Sequence, residues 1–261
     1  MDIQKGVDKI DHPEIIDRLF YPRREQAVDA PGAINRFVEV EEDISIGCRF
    51  FTSRPDGPNI LFFHGNGETV PDYDYVAPFY QKIGVNLFVA DYRGYGMSNG
   101  NPTCSGIIRD AHPIFRSFIS FMDELGHKGG VYVMGRSLGS APAIEVAYHY
   151  QQQLMGLIVE SGFAISRNQI GRLGLTHLFR DVEDPIGFCN DLKIRDIRIP
   201  TLIIHGLQDQ VIPVSEGRVL FELSNAPDKT PLFVPDAGHN DLLDRSLAEY
   251  MKAIAEFTHV E

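Results

Sequence analysis

Six short apolar runs constrain this chain more than any other feature. They are Asn59–His64 (NILFFH), Asn86–Asp91 (NLFVAD), Gly130–Gly135 (GVYVMG), Gly156–Glu160 (GLIVE), Thr201–His205 (TLIIH) and Pro231–Val234 (PLFV). Each is nearly continuous in apolar residues rather than alternating, as in parallel strands covered on both faces. Helical patterns lie between them. Ile108, Ala111, Phe115, Phe118, Ile119 and Met122 fall on one helical face. Leu243, Leu247, Tyr250, Met251, Ile254 and Phe257 do the same near the end of the chain. Pro113 is expected to kink the first of these helices or delay its start. Ahead of the six runs, Arg36–Val40 and Ile44–Phe51 read as an antiparallel hairpin on the sheet edge. The expected class is therefore α/β, a doubly wound, mostly parallel sheet with an antiparallel N-terminal hairpin. One stretch breaks the alternation: residues 163–198 carry no strand signal and contain helical fragments such as Ile170–Phe179. A small helical cap at 163–198, inserted in a single domain spanning 1–261, is expected, since long connections of this kind often form lids or binding loops.

Composition narrows the function. The formal net charge of −12 over 261 residues argues against nucleic-acid binding, which depends on Lys and Arg neutralising phosphates. It equally disfavours an anionic membrane surface. No apolar run approaches the ~20 residues that cross a bilayer, so no integral membrane association is expected. The opening Met-Asp-Ile-Gln-Lys-Gly has no apolar stretch of the signal-peptide kind. Cys48, Cys104 and Cys189 are odd in number and lack a CxxC pair, so neither a disulfide framework nor a zinc site is indicated. A reducing, cytoplasmic location fits. The sequence leaves the oligomeric state open.

In open sheets of this class, ligands bind beyond the carboxyl ends of the strands. Gly135-Arg136-Ser137-Leu138-Gly139 follows one strand and precedes a helical run from Ala141 to Tyr150. This is G-x-S-x-G in a strand–turn–helix context, where the glycines relieve crowding and the serine is pushed outward. A serine hydroxyl needs a base to become a nucleophile at neutral pH. Among nine histidines, His64 and His205 close strands and read as structural. His239, in Asp236-Ala237-Gly238-His239-Asn240-Asp241, follows the last strand and is the candidate base. Asp209, in HGLQDQVIP just after a strand, is the candidate acid that fixes the imidazole tautomer. The order Ser137, Asp209, His239 is the one expected for this arrangement. Glu160, at the end of the preceding strand, is the rival acid and is otherwise assigned a supporting role. An oxyanion site needs two backbone N–H donors. Leu138, after the serine, and Asn66, in His64-Gly65-Asn66-Gly67-Glu68, are the candidates. The acidic loop Pro71-Asp72-Tyr73-Asp74-Tyr75 reads as a capped helix start, with a place at the pocket border as the alternative.

The segments FFHGNGE, DYRGYGMSNGNPT, GRSLGS, LIIHGLQDQVIP and DAGHND, in this order, give the chain a resemblance to the α/β-hydrolase superfamily over nearly its full length. The closest likeness is to small serine hydrolases with an HGN oxyanion loop, a group that includes uncharacterised bacterial hydrolases and thioesterases that depalmitoylate proteins. The resemblance implies the fold, the triad and cleavage of an acyl bond. It also implies that Asp91 and Arg93 brace the oxyanion loop. The chain shows no cysteine-rich amino-terminal segment of the kind that anchors those thioesterases. The expected partner is therefore a small or medium acyl ester or thioester, cleaved through an acyl-enzyme without metal or organic cofactor. Lysophospholipase and aminoacyl peptidase activity are the enzymatic alternatives, and a non-catalytic binding module of the same fold is the alternative of another class.

Overall fold

The computed structural model describes residues 3–26, 28–183 and 185–258. Its centre is one eight-stranded sheet in the order β1-β2-β4-β3-β5-β6-β7-β8. The strands are β1 (Ala33–Glu41), β2 (Ile44–Phe51), β3 (Asn59–Phe63), β4 (Asn86–Ala90), β5 (Val131–Arg136), β6 (Gly156–Glu160), β7 (Thr201–Gly206) and β8 (Lys229–Val234). The β1–β2 and β2–β4 pairs are antiparallel, and every pair from β4 to β8 is parallel. The six apolar runs are thus the parallel strands. Every residue of β3, β4, β6 and β7 is buried, as their unbroken hydrophobicity requires. At the edge, β8 is only partly covered. The hairpin lies at the opposite edge and turns through Asp43 in the left-handed region (φ 61°).

Nine helices occur among the described residues: α1 (Ile3–Asp8), α2 (Pro13–Leu19), α3 (Ala77–Lys82), α4 (Cys104–Leu125), α5 (Ser140–Tyr150), α6 (Ser166–Arg172), α7 (Asn190–Lys193), α8 (Val214–Leu223) and α9 (Leu242–Phe257). Two apolar clusters form the core. One, around Phe50, Phe88, Phe115, Phe118 and Val133, takes up α4 and α5. The other, around Phe62, Tyr80, Met134 and Tyr250, takes up α3 and α9. Strand residues alternate between the two clusters, as Val133 and Met134 do, so the sheet is covered on both faces.

Pro113 does not delay the start of α4, which begins at Cys104. α4 runs unbroken through it for 22 residues. The helix is capped by Thr103, whose side chain accepts from the Gly106 N–H at 2.9 Å. An interior proline costs about 3 kcal/mol. That cost is offset by twelve buried residues on this helix, since burying one large apolar side chain stabilises by about 1.5–3 kcal/mol.

Residues 163–198, between β6 and β7, carry α6, a 3-10 turn at Thr176–Phe179, and α7. This segment packs against the amino-terminal arm formed by α1 and α2. Gly187 N–H donates to the Gly6 carbonyl at 2.8 Å, Lys9 Nζ to the carbonyls of Glu183 and Pro185, and Arg18 Nη1 to the Leu173 carbonyl at 2.9 Å. No helix among the described residues is long and apolar enough to cross a membrane. The three cysteines are buried, and none forms a disulfide among the described residues.

Candidate active site

Ser137, Asp209 and His239 come from the ends of β5, β7 and β8, at the carboxyl edge of the sheet. His239 places Nε2 3.0 Å from Ser137 Oγ and Nδ1 2.7 Å from Asp209 Oδ2. All three residues are buried, His239 the least at 9% exposed. Ser137 sits at the tip of a sharp turn with φ 53°, the left-handed region that costs a non-glycine residue about 1–2 kcal/mol. The flanking glycines permit the turn. A Cβ on Gly135 would lie 2.1 Å from the Gly139 carbonyl oxygen, and one on Gly139 would lie 2.0 Å from that of Phe63.

Asp209 is held by four donors. Its Oδ1 accepts from the N–H groups of Val211 and Ile212. Its Oδ2 faces His239 and also His205 Nε2, at 3.2 Å. Burial works against the charge of Asp209, but the bonds from His205 and His239, with the backbone donors, outweigh it and hold the carboxyl well below its usual range. His205 Nε2 is itself 2.8 Å from the Ile212 carbonyl. A strand-ending histidine read as structural thus fixes the acid.

Asn66 and Leu138 line the same cavity as Ser137 and His239. Leu138 lies in the 3-10 turn that opens α5, where helix-start N–H groups have no partner inside the helix. Asn66 is fixed through its side chain: Oδ1 accepts from Tyr95 OH at 2.6 Å and from the Tyr21 N–H, and Nδ2 donates to the Leu19 carbonyl. The arm therefore grips the candidate oxyanion loop directly.

Asp91 and Arg93 part company. Asp91 is fully buried, accepts from Val70 N–H at 2.8 Å just after the loop, and lies 3.3 Å from His64 Nε2. Arg93 does not brace that loop. It forms a two-pronged pair with Asp110, at 2.7 Å on both prongs, and reaches Glu41 at 2.8 Å. The partner Asp110 sits in the second turn of α4, which a linear reading of DYRGYG could not place beside it. Pro71–Tyr75 forms a short capped 3-10 turn, with a reciprocal box between Thr69 and Asp72, and does not line the main cavity.

Glu160 does not touch His239 but reaches it through Arg136. Arg136 Nε donates to Glu160 at 3.1 Å, Nη1 to Glu68, and Nη2 to the His239 carbonyl at 2.9 Å and Asn240 Oδ1. Tyr250 OH completes Glu160 at 2.6 Å and Tyr73 OH completes Glu68 at 2.8 Å. Burial disfavours the Arg136 charge, but the two carboxylates overcome this and hold it protonated. This residue is the open position of G-x-S-x-G, so the motif itself carries no signal for it.

The cavity over Ser137 measures about 390 Å³, within the ~300–1,000 Å³ usual for ligand sites. Its walls come from three places: the strand-end loops, the 163–198 segment with Phe163, Ile170 and Leu173, and the arm with Ile10, Leu19 and Tyr21.

Fold and site geometry together define an α/β-hydrolase of the serine-hydrolase type. The chain belongs to the α/β-hydrolase superfamily, in the branch of alpha/beta hydrolase domain-containing protein 17B. The human protein of that name is 32% identical over 225 residues, covering 83% of this chain and 72% of its own length. Alpha/beta hydrolase domain-containing protein 17C of Mus musculus is 29% identical over 234 residues, covering 85% and 66%. The family described as "Serine aminopeptidase, S33" matches residues 55–182. Among solved structures, the esterase Pf2001 of Pyrococcus furiosus superposes with a TM-score of 0.72 at 18% identity, over 91% of this chain and 98% of the other. Est1E of Butyrivibrio proteoclasticus, with ferulic acid bound, gives 0.70 at 18% identity, over 86% and 98%. At these identities the solved structures speak for the fold.

Proposed function

We propose that this protein is a serine hydrolase that cleaves an ester or thioester of a small or medium acyl group. Ser137 is the nucleophile, His239 the general base and acid, and Asp209 the orienting carboxylate. The observation that carries the reading is the continuous Asp209–His239–Ser137 hydrogen-bonded series, 2.7 and 3.0 Å. His239 Nε2 takes the serine proton as Oγ attacks the acyl carbon. The negative charge that develops on the acyl oxygen is met by the N–H groups of Asn66 and Leu138. His239 then returns the proton to the leaving group. Water, activated by the same imidazole, releases the acid and frees Ser137. Every proton is handled by this chain, and the mechanism calls for no metal or organic cofactor. The hydrolase relatives support hydrolytic chemistry, and buried cysteines outside any disulfide among the described residues support a reducing, cytoplasmic setting.

The test is labelling by a fluorophosphonate, with the modified peptide identified by mass spectrometry. Native protein is expected to label at Ser137, and Ser137→Ala to remain folded and unlabelled. Asp209→Asn should lower kcat by about ten-thousandfold, the loss typical when the imidazole is held in the wrong tautomer. A folded native protein that does not label, and that turns over no p-nitrophenyl ester or thioester, would point instead to a non-catalytic binding module.

A further inference from the structure

The charge around the cavity runs against the charge of the chain. The protein carries 36 acidic and 24 basic residues, yet no Asp or Glu lines the cavity over Ser137 among the described residues, while Arg18, Arg136 and Arg172 do. Arg136 is outweighed by two carboxylates, Glu68 and Glu160, and adds no net positive charge. Arg18 and Arg172 differ. Both are exposed, and neither makes an ion pair among the described residues, whereas Arg23, Arg36, Arg49 and Arg93 each hold a carboxylate. Arg18 Nη1 is fixed on the Leu173 carbonyl. Glu14, one turn earlier on α2, approaches His177 at 4.0 Å instead. The Leu173 contact brings Arg18 of the arm to the end of α6, where Arg172 sits, so the cavity is lined there by two exposed guanidiniums that hold no carboxylate among the described residues.

Position decides what the pair meets. The buried lining, with Ile10, Leu138, Phe163, Ile170 and Phe188, suits an apolar acyl chain. The exposed arginines mark the solvent side, and the leaving group must depart toward solvent. We propose that the substrate is an acyl ester or thioester whose leaving group carries a phosphate, recognised by Arg18 and Arg172. This inference rests on the hydrolytic reading above. Guanidinium forks match phosphate oxygens in pairs, and a cationic mouth on an acidic protein draws an anion selectively to that opening. The same lining disfavours a free amino terminus, because no carboxylate is present to receive an ammonium group; aminopeptidase activity is therefore not expected. The reaction balances as before. The acyl carbon–sulfur or carbon–oxygen bond breaks as the Ser137 ester forms, His239 protonates the departing thiol or alcohol, and water then cleaves the serine ester to the free acid.

The experiment compares pairs that share one acyl group. Hexanoyl coenzyme A is set against neutral hexanoyl N-acetylcysteamine, and hexanoyl glycerol phosphate against hexanoyl glycerol. The two pairs separate a thioester source of the phosphate from a glycerolipid source. In at least one pair, the phosphate-bearing member is expected to show kcat/KM about tenfold higher at low salt, mostly through KM. That ratio should shrink several-fold as the screening length falls from about 30 Å at 0.01 M salt to about 8 Å at 0.15 M. In an Arg18→Gln/Arg172→Gln variant the ratio should collapse toward one. Equal turnover of both members in both pairs, or a ratio insensitive to salt and to the double substitution, overturns the phosphate inference alone. Failure to hydrolyse any of the four overturns the hydrolytic reading with it.

Discussion

Arg136 joins two jobs that a single side chain rarely holds. It counters the charges of Glu68 and Glu160 inside the protein, and it pins the backbone of His239, the residue that carries the proposed catalytic imidazole. Breaking a buried ion pair from one side leaves the other charge uncompensated and costs about 3–5 kcal/mol. Arg136→Met should therefore lower the melting temperature sharply in calorimetry. A double change that also removes Glu160 as Gln should recover part of the loss. The residues named from sequence alone were legible where a motif fixes both chemistry and place: Ser137, Asp209 and His239 each follow a strand, and the structure brings these three within hydrogen-bonding reach. Arg136 was illegible because its position in the pentapeptide accepts any residue. His205 was legible only as a strand end, since its role depends on a loop folding back so that Ile212 and Asp209 meet its ring.

Glu145 shows what one buried carboxylate does for neighbouring elements. It sits on α5, faces His112 of α4 at 3.2 Å and His149 one turn on at 2.9 Å, and pairs with Lys193 of α7 at 2.5 Å. Burial raises its pKa, but the bond from His112 and the charge of Lys193 prevail, and the carboxyl is held down to about 2. An unfolded glutamate titrates near 4.3. A depressed carboxyl contributes stability that is complete above about pH 5 and drains away as pH falls toward 2. The contribution is on the order of 3 kcal/mol. Glu145→Gln should thus melt lower than the native protein at pH 7, with the gap narrowing as melting is followed from pH 5 down to 3. At this scale the sheet was readable because doubly covered strands must be apolar throughout. α4 was not readable in full: its tolerance of Pro113 and the pairing of Asp110 with Arg93 both depend on packing partners distant in the chain.

At the scale of the molecule, the arm of α1 and α2 supplies one wall of the cavity over Ser137. The arm buries Val7, Ile10, Ile15 and Phe20 in the larger core cluster, and reaches both Asn66 and the 163–198 segment. Ile15 is fully buried, so Ile15→Ala should cost about 2–5 kcal/mol. If the arm positions Asn66, the same variant should also lose kcat on a neutral ester at temperatures where circular dichroism shows it still folded. The arm escaped the sequence reading because its two helices have six and seven residues, too few turns for periodicity to register. The left-handed backbone at Ser137 has a further consequence for the chain as an evolving object. Glycine would hold that φ of 53° with less steric cost, so the substitution that would abolish the proposed chemistry is also one the backbone accepts readily. Selection for heat resistance alone would exert no pressure to retain this serine; only continued demand for turnover keeps it in place.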